Sequence, residues 1–433
     1  MLSERTITMV FALAAAALGG DSLEGLQETV RKQGELIEQL RGEVQGLRGQ
    51  NRAALDSEIQ AYLDETKGAP EVPTSKGAGA LFGGRVRLGG YFSLEFRDDG
   101  DASTMEFDQR RLVPKIQADV APGITFETEI EIEGGGADVD FLEDNEVLVE
   151  YAELNFELVE GKLNFRAGLI LMPWGRFNSV HDDPLNDLTD RPLVSQRIGA
   201  VAFDQPGIAV DGTLEPIAGW FVDYDIALVQ GFDDGFSTNG GVRDGRQSFR
   251  SDNNDNKQVF GRLVLSIPLR LLDAIELGAS FTTGKHDDAG TLTNEGYGLD
   301  LFVKKGRFEF RGEYMNLRIE QPLGAAASEP RRMDGWYVEL AYHLFPEAWR
   351  GAHVLFTDES TFTFVIRVEG IDLNHATLGS TFRDDLDSVT IGFNFRPVER
   401  SVFKVDFTFV DSKQAGFASG SGDIFTISWA SFF

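Results

Sequence analysis

From residue 85 to its end, the chain alternates apolar and polar residues in one short segment after another. The segment SVFKVDFTFV places Phe403 and Phe407 on one face of an extended strand, and Lys404 and Asp406 on the other. Because side chains of a β-strand point alternately to its two faces, this period of two predicts strands with one apolar and one polar face. Sixteen such segments begin near residues 85, 109, 124, 147, 163, 203, 220, 257, 275, 294, 307, 331, 360, 386, 401 and 422.

Two all-β architectures fit this pattern, a water-soluble sandwich and a membrane barrel. A sandwich buries apolar faces between two sheets, whereas a membrane barrel turns its apolar face to lipid and its polar face inward. Mid-strand charges of both signs, and short turns that alternate with long loops, favour the barrel. Aromatic residues near strand ends resemble interfacial girdles; they are Tyr91, Phe92, Trp220, Trp336, Tyr337, Trp349 and Trp429. We therefore predict an all-β fold, a 16-stranded antiparallel transmembrane β-barrel over 85–433.

The chain closes on an aromatic strand, DIFTISWASFF, without a charged tail. In hydrocarbon every backbone polar group needs a partner, so a membrane sheet must close on itself. We therefore expect the last strand to pair with the first, near 85–96. Barrels of 16–18 strands leave an aqueous channel, so this barrel should conduct. The terminal side chains expected to face lipid are Phe425, Ile427, Trp429 and Phe433.

Residues 1–20 predict a secretory signal peptide. The apolar run ITMVFALAAAAL follows Arg5 and precedes small residues, which is the order of segments in an export signal. The run is shorter than the ~20 residues that a spanning helix needs, and a buried helix is the alternative. An exported barrel of this kind belongs in the bacterial outer membrane, which is the localisation we expect.

Residues 22–63 predict one long helix with the seam of an α-helical coiled coil. Several glycines weaken an isolated helix, so we expect it to form by association, as a periplasmic oligomerisation segment. An amphipathic helix packed on its own chain is the alternative. Residues 66–84, rich in proline, glycine and small residues, predict a flexible linker. The seam residues are spaced alternately three and four apart: Leu23, Leu26, Val30, Ile37, Leu40, Val44 and Leu47.

Composition excludes several classes of function. With 70 acidic and 40 basic residues the net charge is −30, which argues against a nucleic-acid partner. The absence of cysteine excludes disulfides, thiolate metal sites and cysteine nucleophiles. The stretch SDNNDN at 251–256 lacks the glycine and final glutamate of a calcium loop. Because His286, His343 and His375 are also isolated along the sequence, we expect no metal and no cofactor.

The barrel region resembles a known family. The opening GRVRLGGYFSLEFR, the run FRAGLILMPWGRFN leading into DRPLVSQR, and the terminal Phe433 resemble outer-membrane porins of the phosphate-selective porins O and P family. The resemblance implies a homotrimeric channel with a loop folded into each pore. It also implies that the barrel-assembly machinery reads Phe433 as an assembly signal. Family members that select phosphate carry an arginine ladder and a lysine cluster; no unbroken basic run is visible here, so we expect a mixed-charge, weakly selective pore.

The 173–202 loop, after the fifth strand, is the best candidate for a pore constriction. Its prolines and glycine forbid a plain strand, and a long connection without regular structure usually has a function. Folded inward, it would narrow the lumen and set cations near carboxylates, which filters ions. An external loop with solvated charges is the alternative. The candidate constriction residues are Arg176, His181, Asp182, Asp183, Asp187, Asp190, Arg191 and Arg197.

Strand parity predicts which charges line the lumen. Charged residues that alternate with the apolar face should point inward, although a slip of one residue exchanges the two faces. The predicted lumen-facing residues are Arg87, Arg111, Lys115, Glu127, Glu129, Glu131, Arg166, Arg262, Arg311, Arg367 and Arg396.

Three other functions are weighed against a diffusion porin. A carbohydrate-selective porin would use an aromatic track, to which Tyr91, Trp174 and Phe177 could contribute. A barrel enzyme needs a Ser–His–acid or paired Asp/His site, and the sequence shows no such motif. A barrel-anchored adhesin usually needs only a small barrel. We therefore predict a passive channel for small hydrophilic solutes and ions, inorganic anions such as phosphate among them. It would be a homotrimer in outer-membrane lipid and not an enzyme.

Overall fold

The computed structural model describes residues 85–100, 105–133, 147–200, 202–238, 240–247, 249–250, 252–326, 329–375, 385–412 and 422–433. The predicted signal peptide, coiled coil and linker, at 1–20, 22–63 and 66–84, lie outside the described residues. Within the described ranges no helix is long and apolar enough to cross a membrane.

Sixteen strands follow one another, and each pairs antiparallel with its neighbours. They begin at or beside the predicted positions; the main exception is β2, which begins at Met105 instead of near 109. The strands are β1 Val86–Asp99, β2 Met105–Ala121, β3 Ile124–Ile132, β4 Val147–Val159, β5 Leu163–Leu171, β6 Asp204–Ile217, β7 Trp220–Val229, β8 Gln258–Ser266, β9 Ala274–Lys285, β10 Thr293–Lys305, β11 Phe308–Ile319, β12 Arg332–Leu344, β13 Thr361–Asp372, β14 Asp385–Val398, β15 Ser401–Ser412 and β16 Ile424–Phe432.

The sheet closes into a barrel because β1 pairs with β16. Tyr91 lies opposite Phe432 in this pairing, and the Phe433 N–H donates to the carbonyl of Gly90 at 2.9 Å. Gly90 has a φ of +148°, and a Cβ there would lie 2.1 Å from the Val113 carbonyl oxygen, so the seam requires glycine. The predicted 16-stranded antiparallel barrel and its closure by the terminal strand are confirmed.

The two faces of the wall are inverted relative to a water-soluble protein. In β13, Phe364 and Ile366 are 52% and 43% exposed, whereas Arg367 and Glu369 are each 2% exposed. In β16, Trp429 is 54% exposed and its neighbours in sequence are buried. A soluble sandwich buries its apolar face and exposes its charges, so this inversion excludes the sandwich.

The connections divide between two rims, since successive antiparallel strands end alternately at each. Those that follow even-numbered strands include tight turns at Gly123, Gly161 and Gly306, each with positive φ. The expected alternation of short turns with long loops is wrong at one place. The long connection at 345–360 joins β12 to β13 and therefore lies at this rim of short turns. It packs on itself, since the rings of Phe345 and Phe356 lie 5.5 Å apart.

Two connections at the opposite rim carry the hydrophobic core of the described chain. The 173–202 loop contains two 3-10 turns, Phe177–Ser179 and Asp183–Leu185, and a short helix, α1, at Leu193–Arg197. The connection 230–257, between β7 and β8, packs against it. The core cluster joins these segments to the wall and includes Trp174, Val194, Ile198, Phe203, Phe232, Val242, Phe260, Met315, Leu317 and Met333.

Candidate functional site

The 173–202 loop makes polar contacts around most of the barrel. Asp183 accepts hydrogen bonds from β1, β2 and β15, and His181 meets β4. Asp187 is bound by β11 and β14, and Thr189 bonds to β15 and β16. Strands on opposite sides of a closed wall can be reached in this way only from the inside. The loop therefore lies within the barrel, and the face that it touches is the inner face.

Asp183 is held by a cluster of donors from three strands. Arg111 and Ser93 donate to its carboxylate at 3.2 and 2.6 Å, and Lys404 donates to its backbone carbonyl at 2.8 Å. Burial alone would raise the pKa of Asp183, but the cations Arg111 and Arg110 outweigh burial and hold it well below its usual range. Asp183 is therefore a charged anchor of the loop.

Asp187 forms a second anchor, on β11 and β14. Arg396 and Asn394 donate to its carboxylate at 3.1 and 3.2 Å, and Arg311 lies 3.7 Å away. Arg396 also donates to the carbonyl of Pro184 at 2.6 Å, so one guanidinium holds two points of the loop. Burial opposes ionisation, yet Arg396 and Arg311 lower the pKa of Asp187 below its ordinary value.

Asp190 forms a third anchor. Arg97 and Arg110 donate to its carboxylate at 3.0 and 3.3 Å, and Arg367 donates to its backbone carbonyl at 2.9 Å. Against the effect of burial, Arg110 and Arg97 lower the pKa of Asp190. The three anchoring carboxylates thus pair with arginines of the wall, whereas the sequence had suggested that they would face cations of the loop itself.

His181 and Asp182 attach the loop to β2 and β4. The Asp182 carboxylate accepts from Lys115 at 2.7 Å. His181 lies with Nδ1 2.7 Å from the Asn178 carbonyl oxygen and Nε2 3.1 Å from the Glu150 carboxylate. Burial would lower the pKa of His181, but the neighbouring Glu150 carboxylate raises it. This contact joins the loop to the wall on the side opposite Asp187.

The three arginines of the loop differ in their surroundings. Arg176 pairs with Glu276, and its guanidinium lies 4.6 Å from the ring centroid of Phe302. The Arg197 carbonyl accepts from Val242, which ties α1 to the 230–257 connection. Arg191 is 6% exposed, and among the described residues its Nε and Nη2 have no hydrogen-bond partner. Arg191 is thus a buried cation that supplies positive potential inside the barrel.

The wall residues that parity predicted to face the lumen lie on the inner face. Arg111, Lys115, Arg311, Arg367 and Arg396 contact the loop directly. The others form pairs along the wall: Arg87 with Asp119, Glu127 with Gln117, Glu129 with Lys115, Glu131 with Arg111, Arg166 with Asp211 and Asp225, and Arg262 with Asp300. The inner face is therefore a dense network of paired charges of both signs.

Sequence reasoning missed Arg110 and misplaced two tyrosines. A register shift between Ser93 and Glu95 inserts an extra residue in β2, which turns Arg110 inward beside Arg111 against strict alternation. Tyr91 and Tyr337 were expected at the membrane interface, but both are buried on the inner face, at 0% and 2% exposure. Each tyrosine has the same parity along its strand as a charged residue in the middle of that strand. Strand parity could therefore have placed both tyrosines on the inner face.

Comparison with known proteins supports the fold. No protein-family model matches the sequence. A protein of Aquifex aeolicus (strain VF5), described only as uncharacterized, is 24% identical over 357 residues, which covers 76% of each chain. The barrel is similar to that of OmpF from Salmonella typhi in complex with daunomycin, with a TM-score of 0.52 and 11% identity over 80% of this chain and 97% of that one.

Two further solved structures show the same architecture. An anion-selective porin from Comamonas acidovorans aligns with a TM-score of 0.50 and 11% identity, covering 80% of this chain and 99% of the porin. OprB from Pseudomonas putida, in its high-pH structure, gives a TM-score of 0.50 and 11% identity over 81% of this chain and 94% of its own. The described chain thus has the fold of outer-membrane porin barrels.

Proposed function

We propose that this protein is an outer-membrane porin, a water-filled channel for passive diffusion of small hydrophilic solutes and ions. The observation that carries the proposal is the inverted wall of a closed 16-strand barrel, apolar outside and charged inside. Such an outer face is stable in lipid, and a charged lining suits water. The likeness in fold to porin barrels supports this function. Nothing in the proposal requires an enzyme, a cofactor or a nucleic acid.

The 173–202 loop is proposed as the constriction of this channel. Asp183 and Asp190 are bound to β1 and β2, whereas Asp187 is bound to β11 and β14 on another side of the wall. A segment tied across the lumen must reduce its free cross-section. The remaining passage would be lined by paired charges, which orient and filter ions at close range.

Weak selectivity is the proposed consequence of this pairing. Phosphate recognition needs guanidinium groups whose donors are free to form bidentate bonds. Arg111, Arg367 and Arg396 already donate to the loop, and Arg166 and Arg262 to acids of the wall. Arg191 keeps donors without a partner among the described residues, but it is only 6% exposed and is enclosed by protein. We therefore propose that the chain shares the fold and the assembly of the phosphate-selective porins O and P family. Inorganic anions would pass through the channel without a specific binding site.

The carbohydrate alternative is not favoured by the side chains first considered for it. Trp174 and Tyr91 are 1% and 0% exposed, and Phe177 is 8% exposed. An aromatic track must present ring faces to the solute, and these rings are enclosed by protein. A sugar-selective porin would have to use other aromatic residues.

The assembled state that we propose is a homotrimer in outer-membrane lipid. The chain would be exported by its 1–20 signal peptide and inserted by the barrel-assembly machinery, which would read Phe433. The first strand begins at the rim of short turns, and in bacterial barrels short turns face the periplasm. The 22–63 coiled coil would therefore lie in the periplasm and support trimerisation.

Reversal potentials in planar bilayers test the selectivity proposal. Purified protein should insert in conductance steps, and a potassium chloride gradient should give a small reversal potential because inner charges of both signs are paired. A strong anion preference with block by phosphate would contradict weak selectivity. The absence of any conductance steps would contradict the porin function.

A further inference from the structure

Three side chains capable of binding a metal ion meet where the 173–202 loop joins the wall. Glu129 comes from β3, Glu150 from β4 and His181 from the loop, and one ligand atom of each lies within 4.8 Å of the others. Their exposures are 1%, 2% and 4%, so the cluster is enclosed by protein. Enclosed carboxylates are costly unless they are compensated by hydrogen bonds or cations.

The hydrogen bonds of His181 leave one ring nitrogen directed at an acceptor. Nδ1 lies 2.7 Å from the carbonyl oxygen of Asn178, which can only accept, so Nδ1 carries a hydrogen. In neutral imidazole Nε2 is then an acceptor, and it lies 3.1 Å from Oε1 of Glu150. Two acceptors at this distance require a proton or a metal ion between them.

Two carboxylate oxygens of the cluster lack hydrogen-bond partners. Among the described residues, Oε1 of Glu129 and Oε2 of Glu150 are buried and accept no hydrogen bond. Lys115 lies 2.9 Å from the other oxygen of Glu129 and leaves Oε1 uncompensated. A proton on His181 would satisfy only its own contact with Glu150. One divalent cation would compensate the imidazole and both carboxylates together.

A β-bulge directs Glu150 into the cluster. Glu129 pairs with Tyr151 and Ile130 pairs with Val149, so Glu150 is an extra residue without a partner in β3. Bulges commonly re-aim a side chain at a functional site. Here the bulge allows Glu150 to join Glu129 and Tyr151 on the inner face, while Val149 stays on the exposed outer face.

We propose that Glu129, Glu150 and His181 bind one divalent transition-metal ion, with Zn²⁺ the best match. One imidazole nitrogen and two carboxylate oxygens are ligands that Zn²⁺ accepts, and three protein ligands leave a fourth position for water. The ion would join the 173–202 loop to two strands of the wall. The proposal concerns binding and does not depend on the porin function.

A second cluster of possible metal ligands differs from this one in how its carboxylates are compensated. Asp187, Glu309 and His343 also have ligand atoms within 4.8 Å of one another. Arg311 pairs with Glu309 and lies 3.7 Å from Asp187, so a cation of the protein already compensates these acids. The cluster around His181 has one such cation among the described residues, Lys115, which pairs with Oε2 of Glu129 and leaves Glu150 without a paired lysine or arginine.

Metal titration of the full-length protein tests the site. Protein in detergent micelles is stripped with EDTA and titrated with ZnCl₂ by calorimetry, and with CoCl₂ by visible absorption. We expect one ion per chain, and a more than tenfold loss of affinity in both Glu150→Gln and His181→Gln (about 1.4 kcal/mol or more). Glu127→Gln is the matched control, since Glu127 lies on the same face of β3 but bonds to Gln117; its affinity should not change.

X-ray absorption on the Zn²⁺-loaded wild-type protein keeps the proposal testable if a variant fails to assemble. The expected first shell contains one imidazole nitrogen and otherwise oxygen. Absence of saturable binding, a shell without imidazole, or unchanged affinity in the folded Glu150→Gln and His181→Gln variants would overturn the site. An equal loss in Glu127→Gln would overturn it as well.

Discussion

The Asp187→Asn substitution is the sharpest probe of how the loop is held. Asparagine preserves the shape of the side chain but removes the negative charge between Arg396 and Arg311. The Asp187 side chain is 3% exposed, and those of Arg396 and Arg311 are 14% and 23% exposed, so solvent screens the interaction little. Hydrogen bonds to charged groups contribute about 1.5–3 kcal/mol.

The loss converts into a change in the population of the undocked loop. If about 2–3 kcal/mol of docking free energy is lost, that population rises roughly 30- to 150-fold, since 1.4 kcal/mol is a factor of ten. Two arginines are also left without their carboxylate. We therefore expect noisier open-channel current and a reversal potential shifted toward anion preference.

Single-channel recording in planar bilayers measures both effects. Asp119→Asn is the matched control, because Asp119 pairs with Arg87 on the inner face and forms no ion pair with the described residues of the loop. The control should leave the open-channel noise at the wild-type level. The reasoning is refuted if Asp187→Asn records like the wild type in noise and reversal potential, or if Asp119→Asn becomes equally noisy.

Three other predictions concern the terminal residue, the carboxylate anchors of the loop and the hydrophobic core. Deletion of Phe433 should lower outer-membrane yield, measured by immunoblot of membrane fractions, while the conductance of the surviving channels stays at the wild-type value. Because the pKa values of Asp187 and Asp190 are lowered, their ion pairs stabilise the docked loop above the usual carboxyl pKa and are lost only as pH falls through the lowered values. The loop should therefore stay docked from pH 7 to about pH 4, which is measured as open-channel noise that does not rise over this range. Trp174→Ala should destabilise the barrel by about 3–5 kcal/mol in guanidinium unfolding, because Trp174 is 1% exposed and donates to the Ile198 carbonyl.

The barrel could be predicted from sequence because each strand carries its own signal. Strict alternation gave the strand starts, and the terminal aromatic strand required closure against β1. Parity also placed charges such as Arg111 and Arg367 on the inner face, since alternation along a strand is a local property. It failed at Arg110 and gave no hint of the role of Glu150, because bulges shift the register and depend on the neighbouring strand.

The pairing within the site could not be predicted in the same way. Asp187 and Arg396 lie 209 positions apart, and the contact arises only when the barrel closes around the loop. The length and the prolines of the 173–202 loop indicate an irregular connection, but they do not predict the path of that connection through the barrel. Likewise Trp174 and Phe177 were considered for a solute track, and only packing against Phe260 and its neighbours shows that these rings are enclosed.

A disulfide staple tests the central claim, that the channel conducts with its loop docked inside. The side chains of Thr189 and Ser428 are in contact, with their hydroxyl oxygens 2.7 Å apart, and the chain contains no other cysteine. The single measurement is the conductance of the Thr189→Cys/Ser428→Cys channel, oxidised and then reduced. We predict that the disulfide forms and that conductance steps of equal size appear in both states. Failure to cross-link, a conductance that changes on reduction, or no conductance in either state would contradict the account.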